Sequence, residues 1–149
     1  MYHSILITSD ASLGVYTNTW SDWHLIPISR PFVSLPSLNS KTVEIPGRNG
    51  SVDLTEVLTG APTYSNRKGS WEFYVMHDEW NSWSETLSTI ASALHGKWLQ
   101  IILEDDPNYY YEGRLKVGWN PGKDYSTITI EYDLSPYKTN VTTGEQSLF

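Results

Sequence analysis

The stretch Asp78-Glu79-Trp80-Asn81-Ser82-Trp83-Ser84-Glu85-Thr86-Leu87-Ser88-Thr89-Ile90-Ala91-Ser92-Ala93-Leu94-His95-Gly96 is the one segment that keeps a helical period for long. Trp80, Trp83, Leu87, Ile90, Ala91 and Leu94 recur at steps of three and four and line one stripe of an amphipathic helix. Ser84, Glu85, Ser88 and Ser92 fall on the other side. Asp78 can accept the first free backbone N–H groups, and Ser82 with Glu85 offers a second capping box one turn later. His95 falls in the last turn, and Gly96 suits the left-handed position just past the end. About 16 residues at 1.5 Å each give a rod of roughly 24 Å. Both flanks alternate or run apolar as strands do: Trp71 to Met76 before the helix, Leu99 to Glu104 after it. Each of Trp83, Leu87, Ile90 and Leu94 is worth roughly 1.5–3 kcal/mol when buried against that sheet. The stretch therefore predicts a mainly β fold with one helix packed on a sheet.

Working outward toward the N-terminus, Ser4-Ile5-Leu6-Ile7-Thr8 reads as a short buried strand, and residues 13–28 as strand, bend and strand. Pro27, Pro31 and Pro36 then punctuate a stretch that cannot be central sheet, because proline cannot donate to a ladder. Val43-Glu44-Ile45 and Val52-Asp53-Leu54 flank Pro46-Gly47-Arg48-Asn49-Gly50 and predict a β-hairpin over residues 41–54, with Asn-Gly as the turn signal. Residues 55–69 read as a long polar loop, and long loops in compact domains are usually functional. Toward the C-terminus, Asp105-Asp106-Pro107-Asn108 is a turn. Leu115, Val117 and Trp119 alternate with Arg114 and Lys116, and Ile128, Ile130, Tyr132 and Leu134 alternate with Thr127, Thr129, Glu131 and Asp133. That pair is the clearest hairpin in the chain. Residues 1–138 are expected to form one domain, with 139–149 as a polar, frayed tail.

A chain of 149 residues can bury about 70% of its unfolded surface and needs no covalent staples. It has no cysteine, which excludes disulfides and thiol catalysis. Met1-Tyr2-His3-Ser4 carries no basic lead into an apolar run, and no 18 apolar residues follow one another, so neither a secretory signal nor a membrane partner is expected. Seventeen acids against ten bases give a net charge of −7, which opposes wrapping nucleic acid.

His3, His24, His77 and His95 fall into no metal spacing. His77-Asp78-Glu79 reads as a helix cap before it reads as a ligand set, since neighbours at such a junction diverge in direction. Asp105 and Asp106 read as turn formers rather than paired catalytic carboxylates. Lys97 and Arg114 are isolated bases, and neither a nucleophile elbow nor a Walker loop occurs. Asn49-Gly50-Ser51 and Asn140-Val141-Thr142 match glycosylation acceptors but lack a secretory context. No enzyme, cofactor or metal is expected. Tyr109-Tyr110-Tyr111, Trp20 and Trp23 keep a carbohydrate-binding β-sandwich module as the alternative. Burial in the core or against another subunit is the weightier reading of those rings.

Several stretches, taken in order, resemble the distal tail proteins of long-tailed bacteriophages and prophages: Asn18-Thr19-Trp20-Ser21-Asp22-Trp23-His24-Leu25-Ile26-Pro27, Val43-Glu44-Ile45-Pro46-Gly47-Arg48-Asn49-Gly50-Ser51-Val52-Asp53-Leu54-Thr55, Arg67-Lys68-Gly69-Ser70-Trp71-Glu72-Phe73, Leu94-His95-Gly96, and Tyr109 to Gly113. The resemblance covers most of residues 20–138 as a string of loose motifs. It implies a β-sandwich or split barrel of the phage tail-tube type, with a flanking helix and a protruding hairpin that joins subunits. It further implies a virion structural protein, a ring, usually a hexamer, at the distal end of the tail, linking the tail tube to tip, baseplate or adhesion proteins. DNA would cross its channel without specific binding. Larger relatives append a C-terminal domain. This sequence stops soon after Pro136-Tyr137-Lys138, so a direct part in host recognition is not expected. Subunit contacts are expected at Ile45, Pro46, Gly47, Arg48, Asn49, Gly50, Ser51, Asp53 and Leu54 of the hairpin, and at Thr63, Tyr64 and Arg67 of the loop after it.

Overall fold

The computed structural model describes residues 3–10, 13–75, 82–122 and 125–149, and in the helix the side chains from Ser84 onward. The elements in chain order are β1 (Ile5–Thr8), β2 (Thr17–Asn18), β3 (Leu25–Pro27), β4 (Thr42–Glu44), β5 (Ser51–Asp53), β6 (Arg67–Val75), α1 (Ser82–Leu94), β7 (Trp98–Leu103), β8 (Tyr109–Asn120), β9 (Ser126–Leu134), β10 (Lys138–Asn140) and β11 (Gln146–Ser147). The fold is mainly β with one helix on the sheet and a separate, protruding hairpin, as the sequence predicts. The main sheet is antiparallel in the order β2-β1-β7-β8-β9-β6-β3, and β4 and β5 form a separate two-stranded sheet.

Strict alternation builds the core. Trp71, Phe73 and Val75 of β6, Leu99, Ile101 and Leu103 of β7, Tyr111 and Leu115 of β8, and Ile128, Ile130, Tyr132 and Leu134 of β9 are all buried in one cluster. Period-2 side chains from neighbouring strands share a face, so one apolar set from each strand suffices to form it. From α1, Ile90 and Leu94 are fully buried in that cluster and Leu87 packs against it, while Ser84, Glu85, Ser88 and Ser92 face solvent. The helix ends as its sequence requires: Gly96 takes φ 73°, and its N–H donates to the Leu115 carbonyl at 2.7 Å. The expected cap at Asp78, the apolar position at Trp80 and the strand end at Met76 lie outside the described residues, as do the side chains of Ser82 and Trp83.

Thr19 joins the two ends of the sheet. Its N–H donates to the Ile5 carbonyl at 3.1 Å, its carbonyl accepts the Leu25 N–H at 2.9 Å, and its Oγ1 accepts the Ile5 N–H at 3.0 Å. β1 lies toward one end of the strand order and β3 at the other. This buried threonine thus closes the sheet into a split barrel, with its hydroxyl accepting one of the bonds of the closure.

Three local expectations are corrected. Residues 67–69 are not loop but the start of β6, paired with β9 from Arg67↔Leu134 onward. Lys68 faces outward while Arg67 is buried, and Gly69 is required because a Cβ there would meet Tyr132 Oη at 2.3 Å. The tail is not frayed: β10 pairs with β8 and with β11, and Asn140 Oδ1 accepts the Thr142 and Thr143 N–H groups at 2.9 and 3.0 Å to close the turn. In the 41–54 hairpin, Glu44 pairs with Ser51, so the connection is a wide loop over residues 45–50 with positive φ at Gly47 and Gly50 rather than a tight Asn-Gly turn.

The Glu104-Asp105-Asp106 corner turns as expected, and it also ties down three distant segments. Glu104 faces His3 at 3.0 Å, Asp106 faces Lys138 at 3.0 Å, and Asp105 takes a two-pronged contact from Arg30, with Nε at 2.7 Å.

Candidate interaction surface

Between β3 and β4 the chain runs as a strap over β6, and buried side chains hold its backbone in place. Ile28 N–H continues the β3 ladder to the Glu72 carbonyl at 3.0 Å. Trp71 Nε1 donates to the Phe32 carbonyl at 2.7 Å, the Ser34 N–H donates to Tyr132 Oη at 3.0 Å, and Arg67 Nη1 donates to the Ser34 carbonyl at 3.0 Å. The prolines at 31 and 36 are compatible with this arrangement, because the strap needs few donors of its own. Further on, Leu38 bridges Tyr64, and the Asn39 N–H donates to the Thr63 carbonyl at 2.9 Å.

With the backbone tied inward, the large apolar side chains point out. Phe32 is 65% exposed, Leu35 69% and Leu38 51%. The arm that follows, β4 and β5 with their loops, adds Val43, Ile45, Val57 and Leu58, the last at 91%. With Ile28 included, half of the large apolar side chains exposed among the described residues fall in residues 28–58. Scattered exposed apolar residues need no explanation, but such a concentration singles out a candidate interaction surface.

The hairpin residues Ile45, Pro46, Gly47, Arg48, Asn49, Gly50, Ser51 and Asp53 are exposed, and Leu54 is half-buried at the base, where its N–H donates to the Lys41 carbonyl at 2.7 Å. The Asp53 carboxylate is held below its ordinary pKa by hydrogen bonds from the Thr55 hydroxyl and N–H. Thr63 is exposed and Tyr64 half-buried, edge-on to Phe149 with ring centroids 5.7 Å apart. Arg67 stands apart from this set. It is 2% exposed, and its guanidinium donates to the carbonyls of Ser34, Pro136 and Leu148. Burial lowers its pKa, yet guanidinium remains a cation in any protein setting. The strap residues were the ones sequence reasoning missed. Their signal was apolar side chains set among prolines, in a stretch with no period to bury them.

Among the described residues the aromatic rings do not gather into a sugar platform. Tyr111 is in the core, Tyr109 lies under Lys138 Nζ at 4.5 Å, and Trp20 meets His24 edge-on. Trp98 is half-exposed beside Arg114, whereas Trp119 pairs with Ile128 further along β8. A cleft of about 690 Å³ on the strand face opposite the core is lined by Lys68, Ser70, Arg114, Lys116, Glu131 and Asp133 among others. Lys116 sits opposite Glu131 and Arg114 opposite Asp133, which is cross-strand charge pairing of the ordinary kind.

This arrangement of sheet, helix and hairpin is shared with a solved phage protein. One solved structure it is similar to is that of the Dit (gp 19.1) protein of phage SPP1, described as a paradigm of the hub adsorption apparatus in phages infecting Gram-positive bacteria. The similarity has a TM-score of 0.67 at 17% identity and covers 91% of this chain and 52% of that one. The chain thus spans about half the length of that structure, and at this identity the likeness speaks for the fold. No family model matches the chain, and no curated protein matches it either.

Proposed function

We propose that this protein is a structural component of a phage or prophage tail: a ring-forming hub at the distal end that links the tail tube to tip, baseplate or adhesion proteins. The observation that carries the reading is the exposed apolar strap and arm on a domain whose core is otherwise complete. A heterologous head-to-tail contact lets each copy cover the next copy's apolar surface, and such contacts form a ring where the rotation between copies closes. Hexameric order would make an assembly of six 17.0 kDa chains. The net charge of −7 suits a channel that DNA crosses without sticking. The place of work is then the virion tail, with assembly in the host cytoplasm.

Native mass tests this directly. Multi-angle light scattering of the purified chain, alone and with tail-tube protein as template, is expected to give a closed oligomer. Ile45→Asp and Leu58→Asp are expected to return it to the monomer. A chain that stays monomeric under both conditions and binds oligosaccharide with a change in Trp fluorescence would instead establish the carbohydrate-binding reading.

A further inference from the structure

The strap and the segment 138–149 meet at one side chain. Arg67 Nη1 donates to the Ser34 carbonyl of the strap at 3.0 Å. Its Nε donates to the Pro136 carbonyl at 3.1 Å, and its Nη2 to the Leu148 carbonyl next to β11. The Tyr111 ring lies 5.2 Å from the guanidinium carbon. A guanidinium is a rigid planar fork, so holding two of these carbonyls fixes where the third must sit. The group is almost wholly buried, and the three acceptors that enclose it are carbonyls. Taking one carbonyl away leaves a buried cation short of acceptors, and the remaining contacts must shift to compensate.

β11 is the weak member of this arrangement. Two residue pairs join it to β10, Phe149 leans on Tyr64, and the turn before it is closed locally by Asn140. A short edge unit of this kind opens without unfolding the core. We propose that the β10–β11 hairpin is a latch for the strap, and that Arg67 is the positioning residue that couples them. With the latch closed, Arg67 holds Ser34 and the strap presents Phe32, Leu35 and Leu38 in fixed places. With it open, the strap loosens, and ordering it again must be done by whatever docks there. The coupling stands on this chain's own hydrogen bonds, whereas its consequence for assembly rests on the hub reading.

Hydrogen exchange separates the two. The full chain is compared with a chain lacking residues 145–149 and with Arg67→Lys, which keeps the charge but loses the fork. In both variants the Ser34 amide, which donates to Tyr132 Oη, is expected to exchange on the order of tenfold faster, the scale of one lost net hydrogen bond. The β8 and β9 amides should keep their protection. Unchanged Ser34 exchange in the shortened chain, with β8 and β9 still protected, overturns the latch. Should Arg67→Lys fail to fold, the shortened chain decides alone. Native mass of that same chain reports on the hub reading separately: a faster Ser34 amide with an unaltered oligomer keeps the latch and removes the strap from the interface.

Discussion

Thr19 and Ile5 exchange two hydrogen bonds, one through the threonine backbone at 3.1 Å and one through its hydroxyl at 3.0 Å, and the Thr19 carbonyl takes the Leu25 N–H as well. That relationship turns an open sheet into a closed one. Thr19→Val keeps the shape and removes the hydroxyl, leaving the buried Ile5 N–H without one acceptor. Urea denaturation is expected to register a loss of about 1–3 kcal/mol, with an unchanged slope. A variant as stable as the parent would mean that the closure does not depend on this side chain.

Core and arm should respond in opposite ways. Ile90 is fully buried between α1 and the sheet, so Ile90→Ala is expected to cost about 2–5 kcal/mol. Leu58→Asp should change the stability of the folded monomer by less than about 0.5 kcal/mol, because Leu58 touches little in the free chain. Thermal denaturation of both proteins, run at a dilution where only monomer is present, checks the contrast.

Gly69 lies under the Tyr132 ring, whose hydroxyl holds the Ser34 N–H and whose face stacks on Trp71 at 4.6 Å. An added methyl cannot be met by swinging that ring away without releasing both partners. Gly69→Ala is therefore expected to cost about 1–3 kcal/mol and to shift the Trp71 emission. Gly69→Ala with parental stability and spectrum would show that Tyr132 is free to move.

Acid should weaken the contact that anchors the start of the strap. The hydrogen bond from Arg30 holds the Asp105 carboxyl below its ordinary pKa of 3.8. A depressed carboxylate lends its stability above the unfolded-state value and loses it as pH falls through the folded-state value. The difference in melting temperature between the parent and Arg30→Ala is thus expected to be steady above pH 4 and to shrink below it. Both groups are solvent-exposed, so the difference is small at any pH. A gap that widens in acid would contradict the assignment.

The parts legible in the sequence are those whose order is local. The α1 stripe at Leu87, Ile90 and Leu94 and the alternation of β8 with β9 are periodic, and period alone places them. The strap was not legible, because its backbone is held by side chains far away in the chain: Phe32 by Trp71, Ser34 by Arg67 and Tyr132. Arg67 itself reads as a loop residue among polar neighbours, and nothing local says that three carbonyls will enclose it. Likewise, the polar residues 138–149 carry no apolar pattern, and what orders them is pairing with β8 and the reach of Arg67.

The central claim is that the arm joins copies of this chain and does nothing for the fold of one copy. Deleting residues 46–51 and measuring native mass by sedimentation, alongside far-ultraviolet circular dichroism, tests it most directly. The account predicts a folded monomer where the parent forms a closed oligomer. An oligomer of unchanged subunit number after the deletion would contradict it.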